Sequence, residues 1–189
     1  MKRKCLEQSE CAVARALDAI GDWWSLLILR EAFAGKRRFS DFHKSLGVAR
    51  NILAARLKKL VALGVFDLVP AADGSAFQEY VLTERGRGLY IVILALRQWG
   101  ESCLFGAEGP KYRLVDVRSG KPIRPLELRS HSGRLLQPED IRVAPIDEAE
   151  LRRTLTEQLK SSRQTRRTPN PAALARVRRD PRQSPRRVD

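Results

Sequence analysis

The feature that most constrains the fold is the regular interruption of helix-forming segments by glycine. Four glycines divide the N-terminal part of the chain: Gly21, Gly35, Gly47 and Gly64. Glycine commonly ends helices because it adopts the left-handed conformation without steric cost. Asp22 and Ser40 are good N-cap residues for the second and third segments. The spacing therefore predicts four short helices, at residues 12–20, 23–34, 41–46 and 50–63.

Two short apolar runs follow the fourth helix and predict a hairpin. They are Val65–Val69 and Phe77–Leu82, separated by turn residues that begin at Pro70. Thr83 then precedes a long helix, predicted over residues 84–104. Two helices joined by a short glycine-containing turn and followed by a hairpin form a winged helix-turn-helix. The predicted fold class is mainly α (α+β), with a two-stranded wing, a small β-containing extension and a disordered tail.

The sequence changes character at residue 107. Loose alternation at residues 112–118 and 123–129 predicts small strands, and residues 147–160 predict a short amphipathic helix capped by Asp147. The last segment has four prolines and almost no apolar residues, so it cannot bury enough surface to fold. We therefore expect three parts: a winged-helix domain at 1–106, an extension at 107–160 and a disordered Arg-rich tail at 161–189.

The formal charge of +14 is concentrated in two places. Lys36–Lys59 carries eight basic residues against one acid, and the tail carries nine arginines against two aspartates. Such charge predicts attraction to a polyanion, either nucleic acid or an acidic membrane surface. The first cluster coincides with the helix-turn-helix, whereas the tail either increases solubility or adds non-specific phosphate binding.

Several classes of protein are not expected from this sequence. No apolar run approaches the roughly 20 residues of a membrane span. The three cysteines form no C-x-x-C pair, which favours reduced thiols and a cytoplasmic location. The two histidines, His43 and His131, do not combine with other residues into a catalytic or metal-binding motif. We therefore expect no enzyme activity, no cofactor, no metal and no membrane association.

The fourth helix has the pattern of a recognition helix. At 100° per residue its leucines share one face, while Asn51, Ala55, Lys58 and Lys59 lie on the opposite one. Asparagine can pair with adenine through two hydrogen bonds, and lysine can contact phosphates. Ala54 and Ala55 are small enough for close approach to the major groove and for contact with a thymine methyl group. The alternative is an ordinary solvated basic helix.

Four further residues, two in this helix and two before it, are candidates for the same interface. Arg50 is expected to read guanine or hold phosphate, and Ser40 combines a cap with a phosphate site at a helix N-terminus. Arg56 lies off the groove face and is expected to contact the DNA backbone or an internal acid. Arg38 belongs to the basic turn before the third helix. The candidate DNA-binding residues are Arg38, Ser40, Arg50, Asn51, Ala54, Ala55, Arg56, Lys58 and Lys59.

Four blocks of this sequence resemble HxlR-type winged helix-turn-helix regulators. They are Cys11–Glu31, Arg38–Phe42, Asn51–Leu60 and Glu79–Gly86, in the family's order. The resemblance implies a bacterial DNA-binding transcriptional regulator, expected to be a repressor. It also implies a homodimer that pairs through the first and last helices of the domain. A general nucleic-acid-binding protein, coating DNA or binding RNA, is the alternative.

The sequence departs from the family pattern in three places. Trp23 replaces a residue that is usually basic, and the wing from Pro70 to Phe77 contains no Lys or Arg. The extension resembles a zinc ribbon that follows the domain in some relatives. Its four ligand positions are occupied by Asp116, Ser119, Arg129 and Ser132. Serine is a poor zinc ligand, so we interpret the extension as a degenerate ribbon without metal.

Cys11 precedes the first helix, where several relatives carry a cysteine that senses oxidants or electrophiles. A helix N-terminus and the neighbouring Arg15 would both favour its thiolate. The alternative is a small buried residue at a dimer contact. The sequence thus leaves a thiol-based or small-molecule effector open, while Cys5 and Cys103 are expected to be incidental.

Overall fold

The structure is a computed structural model that describes residues 5–150 together with residues 152, 153 and 156. The elements in chain order are α1 (Ala12–Ile20), α2 (Trp23–Phe33), α3 (Phe39–Leu46), α4 (Arg50–Ala62), β1 (Phe66–Pro70), β2 (Gln78–Leu82), α5 (Glu84–Gly88) and α6 (Tyr90–Cys103). A single 3₁₀ turn at Pro138–Asp140 follows within the described residues. The predicted class, mainly helical with a two-stranded antiparallel wing, is confirmed.

One of the two predicted helix caps in the winged-helix region is present and the other is not. Asp22 Oδ1 accepts a hydrogen bond from the Ser25 amide at 2.9 Å, which begins α2 as expected. The prediction that Ser40 caps the next helix is wrong. Arg38 occupies the N-cap position of α3 without a side-chain cap, because the helix begins at Phe39 so that this ring packs against the core.

The turn between α3 and α4 depends on Gly47. Its φ of 62° lies in the left-handed region, and its amide donates to the His43 carbonyl at 3.0 Å. A residue with a Cβ would be strained in this conformation. The next residue, Val48, is buried and fixes the direction of α4 relative to α3.

The core joins the helix-turn-helix to the wing. Ile28 and Leu29 of α2 meet the leucines of α4, and all are fully buried. Phe42 of α3, Phe66 of β1 and Tyr80 of β2 form an edge-to-face triad with ring centroids 6.1–6.4 Å apart. Such rings stabilise through both buried area and edge-to-face geometry. The wing is therefore fixed to α3 at its base.

The prediction of one long helix over residues 84–104 is wrong, because the helix is interrupted at Leu89. Thr83 Oγ1 caps α5 by accepting from the Gly86 amide at 3.0 Å, and Leu89 both ends α5 and begins α6. Gly86 lies so close to Val65, the residue before β1, that a Cβ there would be 2.2 Å from the Val65 carbonyl oxygen. This close approach fixes α5 against the wing, and α6 takes a separate course.

Contacts divide the chain into two units, one ending at Glu127 and the other beginning at Leu128. In the first unit, a linker segment, residues 107–127, is held to α6. The Gln98 side chain accepts from the Leu126 amide at 2.7 Å and donates to its carbonyl at 3.2 Å. Instead of the strands expected at 112–118 and 123–129, the described extension forms isolated bridges, Val115 with Pro122 and Arg129 with Leu135.

Asp147 acts as the predicted cap, since its Oδ1 accepts from the Glu150 amide at 2.7 Å. The described residues 148–150, 152, 153 and 156 are helical. The remainder of the predicted helix and the whole Arg-rich tail at 161–189 lie outside the described residues. Of the helices in the described part of the chain, none combines the length and hydropathy needed to cross a bilayer.

Candidate nucleic-acid interface

The outer face of α4 is polar, small and open. Asn51, Ala54, Ala55 and Lys58 are exposed, whereas the leucines of the inner face are fully buried. The sequence-based division of this helix into two faces is thus confirmed except at Lys59, which was expected on the outer face and is half-buried. Among the described residues, the side chains of Asn51 and Lys58 have no hydrogen-bond or ion-pair partner, so both are available to a ligand.

Arg50 lies where α3 meets α4 and is positioned by an aromatic ring. Its guanidinium lies over Phe39, 5.5 Å from the ring centroid, and Phe39 stacks on His43. This cation–π contact orients the arginine while leaving it exposed. Ser40 is also exposed, with its hydroxyl 3.5 Å from Asp41 Oδ1.

Lys44 is a neighbouring cation that sequence reasoning did not select. It is exposed on the last turn of α3 and has no ion-pair partner within the described residues. Its position in the basic cluster of residues 36–59 was the only available signal, because the sequence does not show which face of so short a helix is turned outward.

Two predicted contacts, Arg56 and Lys59, are used inside the fold. Arg56 Nε lies 3.0 Å from Asp22 Oδ1, the same carboxylate that caps α2. An internal acid was one of the two partners expected for Arg56. Lys59 is half-buried and donates from Nζ to the Asp18 carbonyl at 2.9 Å. A cation near the C-terminus of α1 complements the helix dipole there, so Lys59 connects α4 to α1.

Arg38 connects α3 to the wing. Its guanidinium lies 2.5 Å from Asp73 at the wing tip and 3.3 Å from the buried Glu79 of β2. The hydrogen bond from Arg38, with further ones from Ser75, holds the pKa of Asp73 well below its usual range. At its tip the wing therefore carries an ion-paired carboxylate instead of a free Lys or Arg side chain. Arg38 is engaged by that carboxylate.

Glu31 forms a buried polar cluster beneath α3. Its carboxylate lies 2.7 Å from Arg30, 3.2 Å from Lys36 and 2.5 Å from the Ser45 hydroxyl. Burial opposes ionisation, but the hydrogen bonds from Ser45, Arg30 and Lys36 outweigh it and lower the pKa of Glu31. The cluster fixes the C-terminal part of α3 to α2.

Cys11 occupies the N-cap position of α1 and is exposed, as are Cys5 and Cys103. Arg15, expected to assist the thiol, donates instead to the carbonyl of Ser9. The Ser9 hydroxyl in turn accepts from the Cys11 amide at 3.2 Å. The thiol itself is open to solvent.

The positions expected for a lost zinc site are held by hydrogen bonds. The Asp116 carboxylate accepts from the Ser119 hydroxyl at 2.7 Å and from the amides of Arg118 and Ser119, which lowers the pKa of Asp116. In the second unit, the Ser130 and Ser132 hydroxyls lie 3.0 Å apart. Across the described residues, no cluster of three or more His, Cys, Asp or Glu side chains has the geometry of a metal site.

Fold and site together define a winged helix-turn-helix protein with an open recognition helix. A family model described as HxlR-like helix-turn-helix matches residues 19–106. An uncharacterized HTH-type transcriptional regulator of Mycobacterium tuberculosis, MT3179, is 41% identical over 134 residues, which cover 71% of this chain and 85% of the relative. The chain belongs to the HxlR-like family of HTH-type transcriptional regulators.

Solved structures show the same relationship. The crystal structure of PA1607, provisionally described as a transcription factor, is 50% identical with a TM-score of 0.72, covering 76% of this chain and all of that one. PA1374 from Pseudomonas aeruginosa, described in the same way, is 34% identical with a TM-score of 0.53, covering 76% and 99%. The likeness thus extends beyond the residues that the family model matches.

Proposed function

We propose that the chain is a homodimeric repressor that binds specific sites in double-stranded DNA through the outer face of α4. The observation that carries this proposal is the exposure of Asn51 and Lys58 on one side of a helix whose other side is fully buried. A helix that presents uncommitted donors and acceptors can exchange them for base edges and phosphates in a major groove.

The small residues of α4 support reading of sequence as well as binding of phosphate. Ala54 and Ala55 lie between Asn51 and Lys58 and leave the helix backbone close to the protein surface. Asn51 then reaches an adenine edge, while Lys58 and Lys44 contact the flanking phosphates. Arg50, oriented by Phe39, is placed to contact guanine or phosphate at the start of the helix.

The uncovered apolar residues of α1 and α6 support a dimer. Val13 and Leu17 of α1 are 66% and 53% exposed, and Trp99 of α6 is 58% exposed. Burial of such apolar side chains against a second copy of the chain is favoured over their exposure to water. A two-fold dimer would present two copies of α4 to half-sites roughly 34 Å apart on one face of the duplex.

Repression is the proposed outcome, because a dimer that occupies a promoter excludes RNA polymerase. We also propose that the protein acts in the cytoplasm and that it catalyses no reaction. The test is selection of binding sites from random duplexes, followed by footprinting and a measurement of dimer mass. A palindromic footprint with derepression on gene deletion is expected. Uniform coverage of any duplex would instead favour a general nucleic-acid-binding protein.

A thiol response through Cys11 is a second part of the proposal. The exposed thiol at the start of α1 is accessible to oxidants, and α1 contacts the recognition helix through Lys59. Peroxide or a quinone should change the DNA affinity of the wild-type protein, and Cys11→Ser should abolish that change. Cys103→Ser provides the matched control, since Cys103 is also exposed. An unchanged response in Cys11→Ser would remove Cys11 from the mechanism.

We assign the extension as a ribbon that has lost its metal. Hydrogen bonds already engage the Asp116 carboxylate with the Ser119 hydroxyl, and the Ser132 hydroxyl with that of Ser130, at three of the four ligand positions. The purified protein should contain no stoichiometric zinc, and a chelator should leave its melting temperature unchanged. Retention of one equivalent of zinc through purification would contradict this assignment.

A further inference from the structure

A large cavity in the first unit lies outside the proposed DNA-binding surface, since none of its lining residues belongs to α4. It is an open pocket of about 1010 Å³ between α2, α6 and the chain that follows α6. Its walls include Leu27 and Phe33 of α2, Ile93 and Leu94 of α6, and Tyr112 of the linker segment. This volume is at the upper end of the range for small-molecule pockets, and an apolar lining is typical of them.

The pocket lies on a different face of α6 from the proposed dimer contact. At 100° per residue, Arg97 and Gly100 share the pocket face, whereas Val92 and Trp99 lie on the opposite side. The linker segment remains over the pocket face, because Arg97 donates to the Tyr112 carbonyl at 2.8 Å and Gln98 holds Leu126. A dimer formed through α1 and the Val92–Trp99 side therefore leaves the pocket available.

Positive charge is in excess at one wall. Arg30 lines the pocket, and its partner Glu31 also neutralises Lys36, so that one carboxylate serves two cations. Arg97 and Glu101, which also line it, form an ion pair with each other at 2.5 Å. An apolar ligand with a single negative charge matches this combination of an apolar lining and an arginine, Arg30, whose charge is only partly compensated.

We propose that this pocket is the effector site of the regulator and that it takes a small apolar anion, an aromatic or aliphatic carboxylate or sulfonate. The apolar part fills the space between α2 and α6, and the anionic group binds Arg30. The effector role rests on the proposed function, whereas binding of the ligand to the pocket does not depend on DNA.

Arg30 also provides a route from the pocket to the DNA-binding helices. Its guanidinium donates from Nε and from Nη2 to Glu31 Oε1, and Glu31 holds Ser45 of α3. An anion that recruits Arg30 competes with Glu31 for the same donors. Occupancy of the pocket therefore alters the cluster that fixes α3 to α2.

The first test measures binding of 1-anilinonaphthalene-8-sulfonate, an apolar aromatic anion whose fluorescence rises in apolar surroundings, to the full-length protein without DNA. Gly100 lines the pocket, and a Cβ at this position meets no atom within 4 Å, so Gly100→Phe adds a ring to the cavity without strain. Gly88→Phe is the matched control, because Gly88 has equal space and does not line the pocket.

Saturable binding at one site per protomer is expected for the wild-type protein and for Gly88→Phe. Gly100→Phe should weaken it by at least about tenfold, since the ring occupies the volume that the probe needs. Equal affinities in the two variants, or no saturable binding to the wild-type protein, would overturn the proposal. Identical urea midpoints of the two variants show that the comparison concerns the pocket and not loosened packing.

The second test isolates the charge. N-phenyl-1-naphthylamine has the same rings as the first probe but no sulfonate. Arg30→Met should weaken binding of the sulfonate by about threefold and leave the neutral probe unchanged, because a half-exposed charge contributes modestly. Equal weakening of both probes would reject Arg30 as the anion contact. A DNA affinity that is the same with and without saturating sulfonate would reject the effector role, whereas failure to bind any duplex would reject the proposed function instead.

Discussion

The outer face of α4 and the wing use their polar side chains differently. On α4, Lys58 and Asn51 are exposed and have no partner within the described residues. Arg38, by contrast, is bound by Asp73 at the wing tip and by Glu79 of β2. The difference shows that a cluster of positive charge in a sequence overstates the charge offered to DNA, because part of it stabilises the fold.

The eight basic residues of Lys36–Lys59 divide accordingly. Five have an acidic or carbonyl partner inside the fold: Lys36, Arg37, Arg38, Arg56 and Lys59. The other three remain open to a ligand: Lys44, Arg50 and Lys58. The second group should determine DNA affinity and its salt dependence, whereas the first should determine stability.

The largest effect is expected at the base-reading position of the open group. Asn51→Ala should weaken binding to the selected operator by about 10- to 100-fold, because a two-hydrogen-bond contact with adenine contributes about 1–3 kcal/mol of discrimination. Fluorescence anisotropy with the operator and with a scrambled duplex measures it. Affinity for the scrambled duplex and the urea midpoint should hardly change, since Asn51 is exposed. Equal losses on both duplexes would mean that Asn51 does not read sequence.

The next effect concerns the polar cluster around Glu31 and the pH dependence of the stability that it provides. Glu31→Gln should lower the free energy of unfolding by about 1–2 kcal/mol at pH 7, since it removes a charged partner of Arg30 and Lys36. The pKa of Glu31 is lowered by folding, so its stabilisation is present above the ordinary value of 4.5 and disappears as pH falls through the folded pKa.

Urea unfolding at pH 7 and near pH 4, at one fixed protein concentration, checks this effect. The difference between wild-type protein and Glu31→Gln should be full at pH 7 and smaller near pH 4, where the loss of the stabilisation has begun. A difference that widens as the pH falls would contradict the role assigned to the ionised carboxylate.

Adjacent lysines on α4 give the most direct comparison of the two groups. Lys58→Ala should reduce the slope of log affinity against log salt by about 1 per protomer, with no change in stability. Lys59→Ala should leave the slope intact and lower stability by about 1 kcal/mol, because it removes the hydrogen bond to the Asp18 carbonyl. Titrations at several salt concentrations and urea unfolding measure both. If Lys59→Ala reduced the salt slope and Lys58→Ala lowered stability, the roles assigned to the two lysines would be reversed.

The smallest effect is expected at the wing tip. Asp73→Asn removes a negative charge and releases Arg38 from one of its partners, so affinity for any duplex at low salt should rise by about two- to threefold. Glu84→Gln serves as a control that removes an acid outside the wing. A fall in affinity for Asp73→Asn would show that the pair with Arg38 positions the wing for DNA.

Local patterns predicted much of the fold. The four helices, the hairpin and the buried face of α4 follow from glycine spacing and from apolar residues at helical intervals. Asp22 and Asp147 were found as caps because capping involves residues only three positions apart. These features depend on short stretches of sequence, which is why they could be predicted without a structure.

The sequence by itself thus determined the winged helix-turn-helix, its family and the side of α4 that faces outward. The tertiary structure alone decided which cations remain available, because Arg38 and Glu79, like Lys59 and Asp18, are separated by 41 residues. It also decided the break at Leu89, which depends on how closely Gly86 approaches Val65, and the pocket between α2 and α6. Ion pairs and cavities arise where distant segments meet, and periodicity within one segment carries no information about that meeting.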